Sequence, residues 1–202
     1  MSSVKTVVRD PDSKKRHILE AARRLLIKRG FQDIVLDDVA HAAGVAKGTL
    51  FLYYKSKEEL FAAALTDLVE GLGLELEALS KTGLKGREML TSAAKVVLNH
   101  FDHSRDFMAQ LSSGRLPGCG ARACEKMKEK IRANHGHVRV ILARAAQDEA
   151  HSIPDRDFAA AAFIGLCRSA MMSKVVHGHE KPLVNEADRI VTFFLSGSGV
   201  SL

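Results

Sequence analysis

Nine histidines and three cysteines are the residues of this 202-residue chain with the most obvious chemistry, because imidazole and thiolate are common transition-metal ligands. His100 and His103, His135 and His137, His177 and His179, and the loop pair Cys119 and Cys124 lie close enough in sequence to share an ion. A closed zinc site needs four ligands at characteristic spacing, and none of these groups completes a set. Solvated or helix-capping histidines are the simpler reading, so no metal site is expected. Catalysis would need a nucleophile beside a base, a carboxylate pair in a cleft or a phosphate-cradling glycine loop. No recognisable arrangement of that kind occurs, and neither an enzyme nor a cofactor is expected. What remains is a run of small, cationic and aromatic side chains from Lys47 to Lys57, the residue types that meet nucleic acid.

The elements that must position this run are helical. Hydrophobic residues make up 46% and charged residues 27% of a chain with only four prolines, which favours an all-α protein with a substantial core. Residues 1–12 are polar and lack a period, consistent with a basic arm. From Ser13, the apolar positions Ile18, Ala22, Leu25 and Leu26 fall on one helical face, and Gly30 supplies a stop. A second helix of about two turns runs from Leu36 to Ala43, ended by Gly44, and a third from Lys47 to Tyr54. Two short helices around a glycine-containing turn form a helix-turn-helix arrangement. Ser56 and Glu59 have capping-box spacing and open a fourth helix with the stripe Leu60, Ala64, Leu68, Leu72, Leu76 and Leu79. Gly71 and Gly73 are expected to soften that helix.

Charge agrees with a polyanion partner for the first part of the chain. The net charge is +6, and residues 1–60 carry twelve Lys and Arg against eight Asp and Glu, a surplus of four. A mildly basic solvated surface would give the same total. Farther along, apolar periodicity returns at 87–101, 104–111, 121–150, 154–176 and 185–195, with a loop at 114–118 and an interruption expected near His135-Gly136-His137. No uncharged apolar run reaches the roughly 18 residues of a membrane span, since the stretch from Phe158 to Val176 carries Arg168 and Lys174. With an odd cysteine count and no secretory leader, a cytoplasmic protein without a membrane partner is expected.

Residues 36–61, LDDVAHAAGVAKGTLFLYYKSKEELF, closely resemble the DNA-binding signature of the TetR family. The likeness covers about residues 13–62 and includes the Ala-Gly-Val turn, the Lys-Gly-Thr-Leu recognition helix and the Tyr-Tyr-x-Ser-Lys-Glu junction. It implies a three-helix DNA-binding domain at 13–62, joined through a long fourth helix to a helical ligand-binding and dimerisation bundle at 63–202. By the same resemblance Lys47, Gly48, Thr49, Phe51, Leu52 and Tyr53 approach DNA, and Lys57 meets its backbone, while Leu50 and Tyr54 suit the inward face. The residues alone also allow Phe51 and Tyr53 to be packing groups and Lys47 a solvated charge. Leu36 and Ala46 stand where the family often has Ser or Thr, so two capping hydroxyls are lost. Asp37 and Asp38 favour a helix N-terminus but would repel a phosphate, and neither is assigned a DNA contact.

For the bundle, the resemblance implies that the last two helices form a homodimer interface, with Phe163, Leu166, Ser169, Ile190, Phe193 and Phe194 as candidates, although these residues also suit an intramolecular core. Met89, Phe101, Phe107, Met108, Met127 and Phe163 are candidates for a pocket holding a small-molecule effector, against the simpler reading as core. A dimer would read an inverted-repeat operator in double-stranded DNA, and a repressor released by its ligand is the expected mechanism.

Overall fold

The computed structural model describes residues 11–29, 31–112, 121–146, 155–178 and 181–197. It is all-α, with no strand among the described residues. The helices are α1 (Pro11–Arg29), α2 (Leu36–Ala42), α3 (Lys47–Tyr53), α4 (Lys57–Ser80), α5 (Gly86–Ser112), α6 (Ala121–Ala145), α7 (Arg156–His177) and α8 (Ala187–Gly197), the last preceded by a 3-10 turn, Leu183–Glu186. α1 starts at Pro11, two residues before the expected Ser13, because proline at the first helical position gives up an N–H that has no partner there. The expected stop at Gly30 lies outside the described residues.

The chain divides into two compact units, one containing Met1–Thr66 with Asp106–Glu125, the other Asp67–Arg105 with Lys126–Leu202. In the first, α1 packs on α2 and α2 on α3. Its core consists of Ile18, Leu19, Ala22 and Leu26 from α1, Phe31 and Ile34 from the following loop, Val39, Leu50, Leu60 and Phe61. The capping box forms as its spacing requires, with the Glu59 N–H donating to Ser56 Oγ at 3.1 Å. The Glu59 carboxylate reaches one residue farther back than the usual partner and accepts from the Lys55 N–H at 2.8 Å.

In the second unit, Leu76, Met89, Val97, Leu98, Ile141, Leu142, Phe163 and Val191 are among the buried groups. The sequence pattern breaks near residues 102–103 and 135–137, yet α5 and α6 run straight through both places. Polar residues at or beside those places are satisfied internally. Asp102 accepts from Lys174 Nζ at 2.6 Å and from the Leu183 N–H at 2.7 Å, while Ser104 Oγ donates to the His100 carbonyl. Asn134, buried, donates to the Val69 carbonyl at 2.9 Å. A polar residue with partners can occupy an apolar face without ending the helix.

α7 is long and apolar enough to cross a membrane by length and composition, even with Arg168 and Lys174 in it. Here it packs on α8, placing Phe163 against Phe194 with ring centroids 5.3 Å apart. Asp155 caps its N-terminus by accepting from the Phe158 N–H, and Gly178 closes it at φ +68°, the left-handed region that favours glycine.

The two glycines of α4 differ. A Cβ on Gly71 would meet nothing within 4 Å, but one on Gly73 would lie 2.5 Å from Asn134 Oδ1. Gly73 is therefore a close-packing site, and the expectation that both glycines merely soften the helix is corrected at that position. Gly71→Ala is expected to raise stability by up to about 1 kcal/mol through helix propensity. Gly73→Ala should gain less than Gly71→Ala or lose stability, because Asn134 Oδ1 must move aside while its amide holds the Val69 carbonyl; urea unfolding of both variants checks the order. Burial raises the Cys167 thiol to about 12. At pH 8 it is expected to stay unlabelled by a maleimide in the native protein and to react after unfolding, as read by peptide mass spectrometry.

Candidate nucleic-acid interface

The turn between α2 and α3 is set by Gly44, whose φ of +68° a side chain would strain. The Ala43 N–H donates to the Val39 carbonyl and the Val45 N–H to the Ala40 carbonyl, so the chain reverses with its polar groups paired. Neither α2 nor α3 has a side-chain cap, since Val35 and Ala46 occupy the N-cap positions. α3 is held by what it buries: Leu50 is fully enclosed and Tyr54, just past its end, is 5% exposed. Lys55 Nζ donates to the Phe51 carbonyl at 2.7 Å and closes the helix from its C-terminal side.

With Leu50 and Tyr54 turned in, the remaining residues of α3 face out. Lys47 and Gly48 are exposed, Thr49, Phe51 and Tyr53 are half-buried, and Leu52 is 78% exposed. Five of the six α3 residues named from the sequence are polar, aromatic or glycine, and the sixth is an apolar side chain that packing leaves in solvent. Lys47 Nζ pairs with Asp37 Oδ2 at 2.7 Å and lies 6.0 Å from the Phe51 ring centre. Beside it Arg29 pairs with Asp38 at 2.8 Å. The Tyr53 hydroxyl donates to the Pro11 carbonyl at 3.2 Å, tying the end of α3 to the start of α1.

Lys57 is placed differently from its six companions. Its ammonium donates to the carbonyls of Phe31 at 2.8 Å, Ile34 at 3.0 Å and Gln32 at 3.4 Å. It also sits 4.4 Å from the centre of the Phe31 ring, which packs edge-on against Phe61. The three carbonyls within its reach all belong to the loop between α1 and α2, so in this structure Lys57 is a clip that fastens α4 to that loop. Asp37 and Asp38, which the sequence reading left without a DNA contact, and Arg29, which it did not single out, are the charged neighbours of this row. Their only sequence signal was two adjacent carboxylates at the start of a short helix.

In the second unit the candidates separate by burial. Phe163, Ile190 and Phe194 are buried within the chain, whereas Phe193 is 66% exposed, Leu166 half-buried and Ser169 exposed. The exposed members continue an outward stripe on α7 through Phe158, Ala162, Gly165, Met172 and Val176 at helical spacing. Of the pocket candidates, Met89, Phe101 and Phe163 are buried and Met127 half-buried, while the side chains of Phe107 and Met108 lie outside the described ones. His135 titrates below its ordinary value because of burial and then the Arg168 charge. Among the described residues, no group of three or more His, Cys, Asp or Glu side chains is placed to hold a metal ion.

Residues 18–64, which contain this helix-turn-helix, match the family described as bacterial regulatory proteins, tetR family. This helix-turn-helix is of the TetR type. Curated relatives match less than half of the chain. FasR of Mycolicibacterium smegmatis, a transcriptional activator, is 28% identical over 92 residues, which are 46% of this chain and 42% of FasR. MftR of Mycobacterium tuberculosis, a candidate mycofactocin biosynthesis regulator, is 39% identical over 89 residues, 44% of this chain and 43% of MftR. The matched segment thus spans less than half of either relative. FadR of Bacillus subtilis, solved in complex with stearoyl-CoA, superposes with a TM-score of 0.73 over 90% of this chain and 98% of that one, at 20% identity, which shows a shared fold.

Replacing Lys57 by Met removes the donor to the part-buried carbonyls of Phe31 and Ile34. The variant is expected to lose roughly 1–3 kcal/mol in urea unfolding. An unchanged midpoint would show the clip to be dispensable.

Proposed function

We propose that the protein is a sequence-specific transcriptional regulator that binds double-stranded DNA as a homodimer. The observation that carries this reading is the outward row on α3: Lys47, Gly48, Thr49, Phe51, Leu52 and Tyr53 stand on a short helix whose inward face is fixed by Leu50. A helix of that size fits the major groove. Gly48 allows close approach, Lys47 donates to guanine acceptors or phosphate, and Leu52 offers apolar contact to a thymine methyl group. Thr49 and Tyr53 supply hydroxyls for phosphate, Tyr53 by exchanging the Pro11 carbonyl for a DNA oxygen. Lys57 acts indirectly, by holding the loop behind the recognition helix.

The homodimer is supported by the outward stripe of α7 and by Phe193 of α8, an apolar face larger than a lone exposed side chain. Two-fold symmetry would set two recognition helices one DNA turn apart, roughly 34–36 Å, and make the operator an inverted repeat. The domain division follows: residues 13–62 read DNA and 63–202 dimerise and hold the effector. We assign repression because occluding a promoter needs only DNA binding, whereas activation needs a further surface for the transcription machinery. The effector is an apolar small molecule held near Met89, Phe101 and Phe163. A fold able to accommodate the stearoyl-CoA seen in FadR supports that class. A ligand coupling of about 1–3 kcal/mol would weaken DNA binding 5–150-fold, with α4 as the unbroken helix shared by both parts of the chain.

Selection from a random duplex library at fixed salt tests the reading. The wild type is expected to enrich an inverted repeat, and Lys47→Ala with Tyr53→Ala to enrich none; no enriched sequence from the wild type would refute sequence-specific binding. A reporter driven through the enriched repeat should rise when the gene is deleted, and a fall would assign activation instead.

A further inference from the structure

Asp37 is the second residue of α2, and its carboxylate holds the ammonium of Lys47, the first residue of α3, at 2.7 Å. Both side chains are more than half exposed, so the pair contributes little to folding. Its importance lies in where the charge stands. A free lysine at the start of a recognition helix gains affinity for any duplex by neutralising a phosphate and releasing its condensed counterion. A lysine already neutralised by a carboxylate gains far less, and a phosphate brought to it also meets the carboxylate. Base edges in the major groove present uncharged acceptors instead, such as guanine O6 and N7, to which an ammonium can donate without placing a phosphate against Asp37.

We infer that Asp37 is a specificity-determining residue: as the resident counterion of Lys47, it withholds that charge from the DNA backbone and leaves the ammonium to base-edge acceptors. The inference rests on α3 being the DNA-reading helix. Asp37 thus lowers affinity for arbitrary DNA more than affinity for the cognate site, and so widens the ratio between them. The neighbouring pair of Asp38 with Arg29, at 2.8 Å, neutralises a second cation of the head, although Arg29 lies on α1 and not on α3. Removing Asp38 therefore serves as the control for a general change in charge.

Fluorescence anisotropy with the full chain, on the enriched repeat and on a random-sequence duplex across a potassium chloride series, tests this. Asp37→Asn is expected to bind the random duplex roughly tenfold tighter at low salt, with a log–log salt slope steeper by about 0.9, the value of one added phosphate contact. The enriched repeat should gain less, so the ratio of the two affinities falls. Asp37→Ser should behave in the same way, and adding Lys47→Met to Asp37→Asn should abolish the gain; circular dichroism melts establish that each variant is folded. The inference is overturned if Asp37→Asn leaves affinity and slope for the random duplex unchanged. It is equally overturned if the gain survives removal of Lys47, or if Asp38→Asn reproduces both the gain and the fall in the ratio. A wild type that binds neither duplex overturns the reading of α3 itself, an outcome distinct from wild-type binding that Asp37 does not influence.

Discussion

A seven-residue helix does not hold its shape alone in water, because the entropy of nucleating it exceeds what two turns of backbone hydrogen bonds return. The whole candidate nucleic-acid face of this protein depends on how α3 escapes that limit. Leu50 is enclosed by the core of the first unit, Tyr54 is buried just beyond the helix, and the turn at Gly44 delivers the chain at the required angle. Once those two side chains are committed inward, the 3.6-residue period leaves Lys47, Gly48 and Leu52 in solvent. The helix has no capping hydroxyl at Ala46, so packing and the Lys55 bond to the Phe51 carbonyl replace what a cap would supply.

The same dependence extends to the segment after α1. The loop carbonyls of Phe31, Gln32 and Ile34 lie outside any helix and need donors, and Lys57 provides them from the first turn of α4 while its charge rests over the Phe31 ring. A single flexible side chain thus satisfies a loop and fixes the start of α4 against it. The second unit relies on polar cross-links of comparable kind. Asp102 joins α5 to α7 through Lys174 and to the 3-10 turn through Leu183, and Asn134 joins α6 to α4 beside Gly73. Such groups are costly when buried without partners, so their pairing restricts the helices to one register.

Much of the fold was legible because it follows from local rules. Apolar period marked α1, α4, α7 and α8, glycine marked the end of α2, and the spacing of Ser56 and Glu59 marked the start of α4. The places where sequence reasoning failed have one cause. Asp102 and His103 in α5 and His135-Gly136-His137 in α6 interrupt the apolar pattern and suggested breaks, but the helices continue, with Asp102 paired to Lys174 and to the Leu183 N–H. The contacts of Lys57 were illegible for the same reason: nothing nearby in sequence reveals three carbonyls more than twenty positions away.

By itself, then, the sequence determined which segments are helical, which face of each is apolar and which short helix carries outward cationic and aromatic groups, since these depend on residues within a few turns of one another. Only the tertiary structure decided the partners of the polar residues: Asp37 on Lys47, Asp38 on Arg29, Lys57 on the α1–α2 loop, Asp102 on Lys174. It also divided the aromatic residues of α7 and α8 into core, Phe163 and Phe194, and surface, Phe158 and Phe193. Periodicity states that a side chain lies on a given face, but its chemistry depends on whatever distant group the packing brings within about 3 Å, the reach of a hydrogen bond.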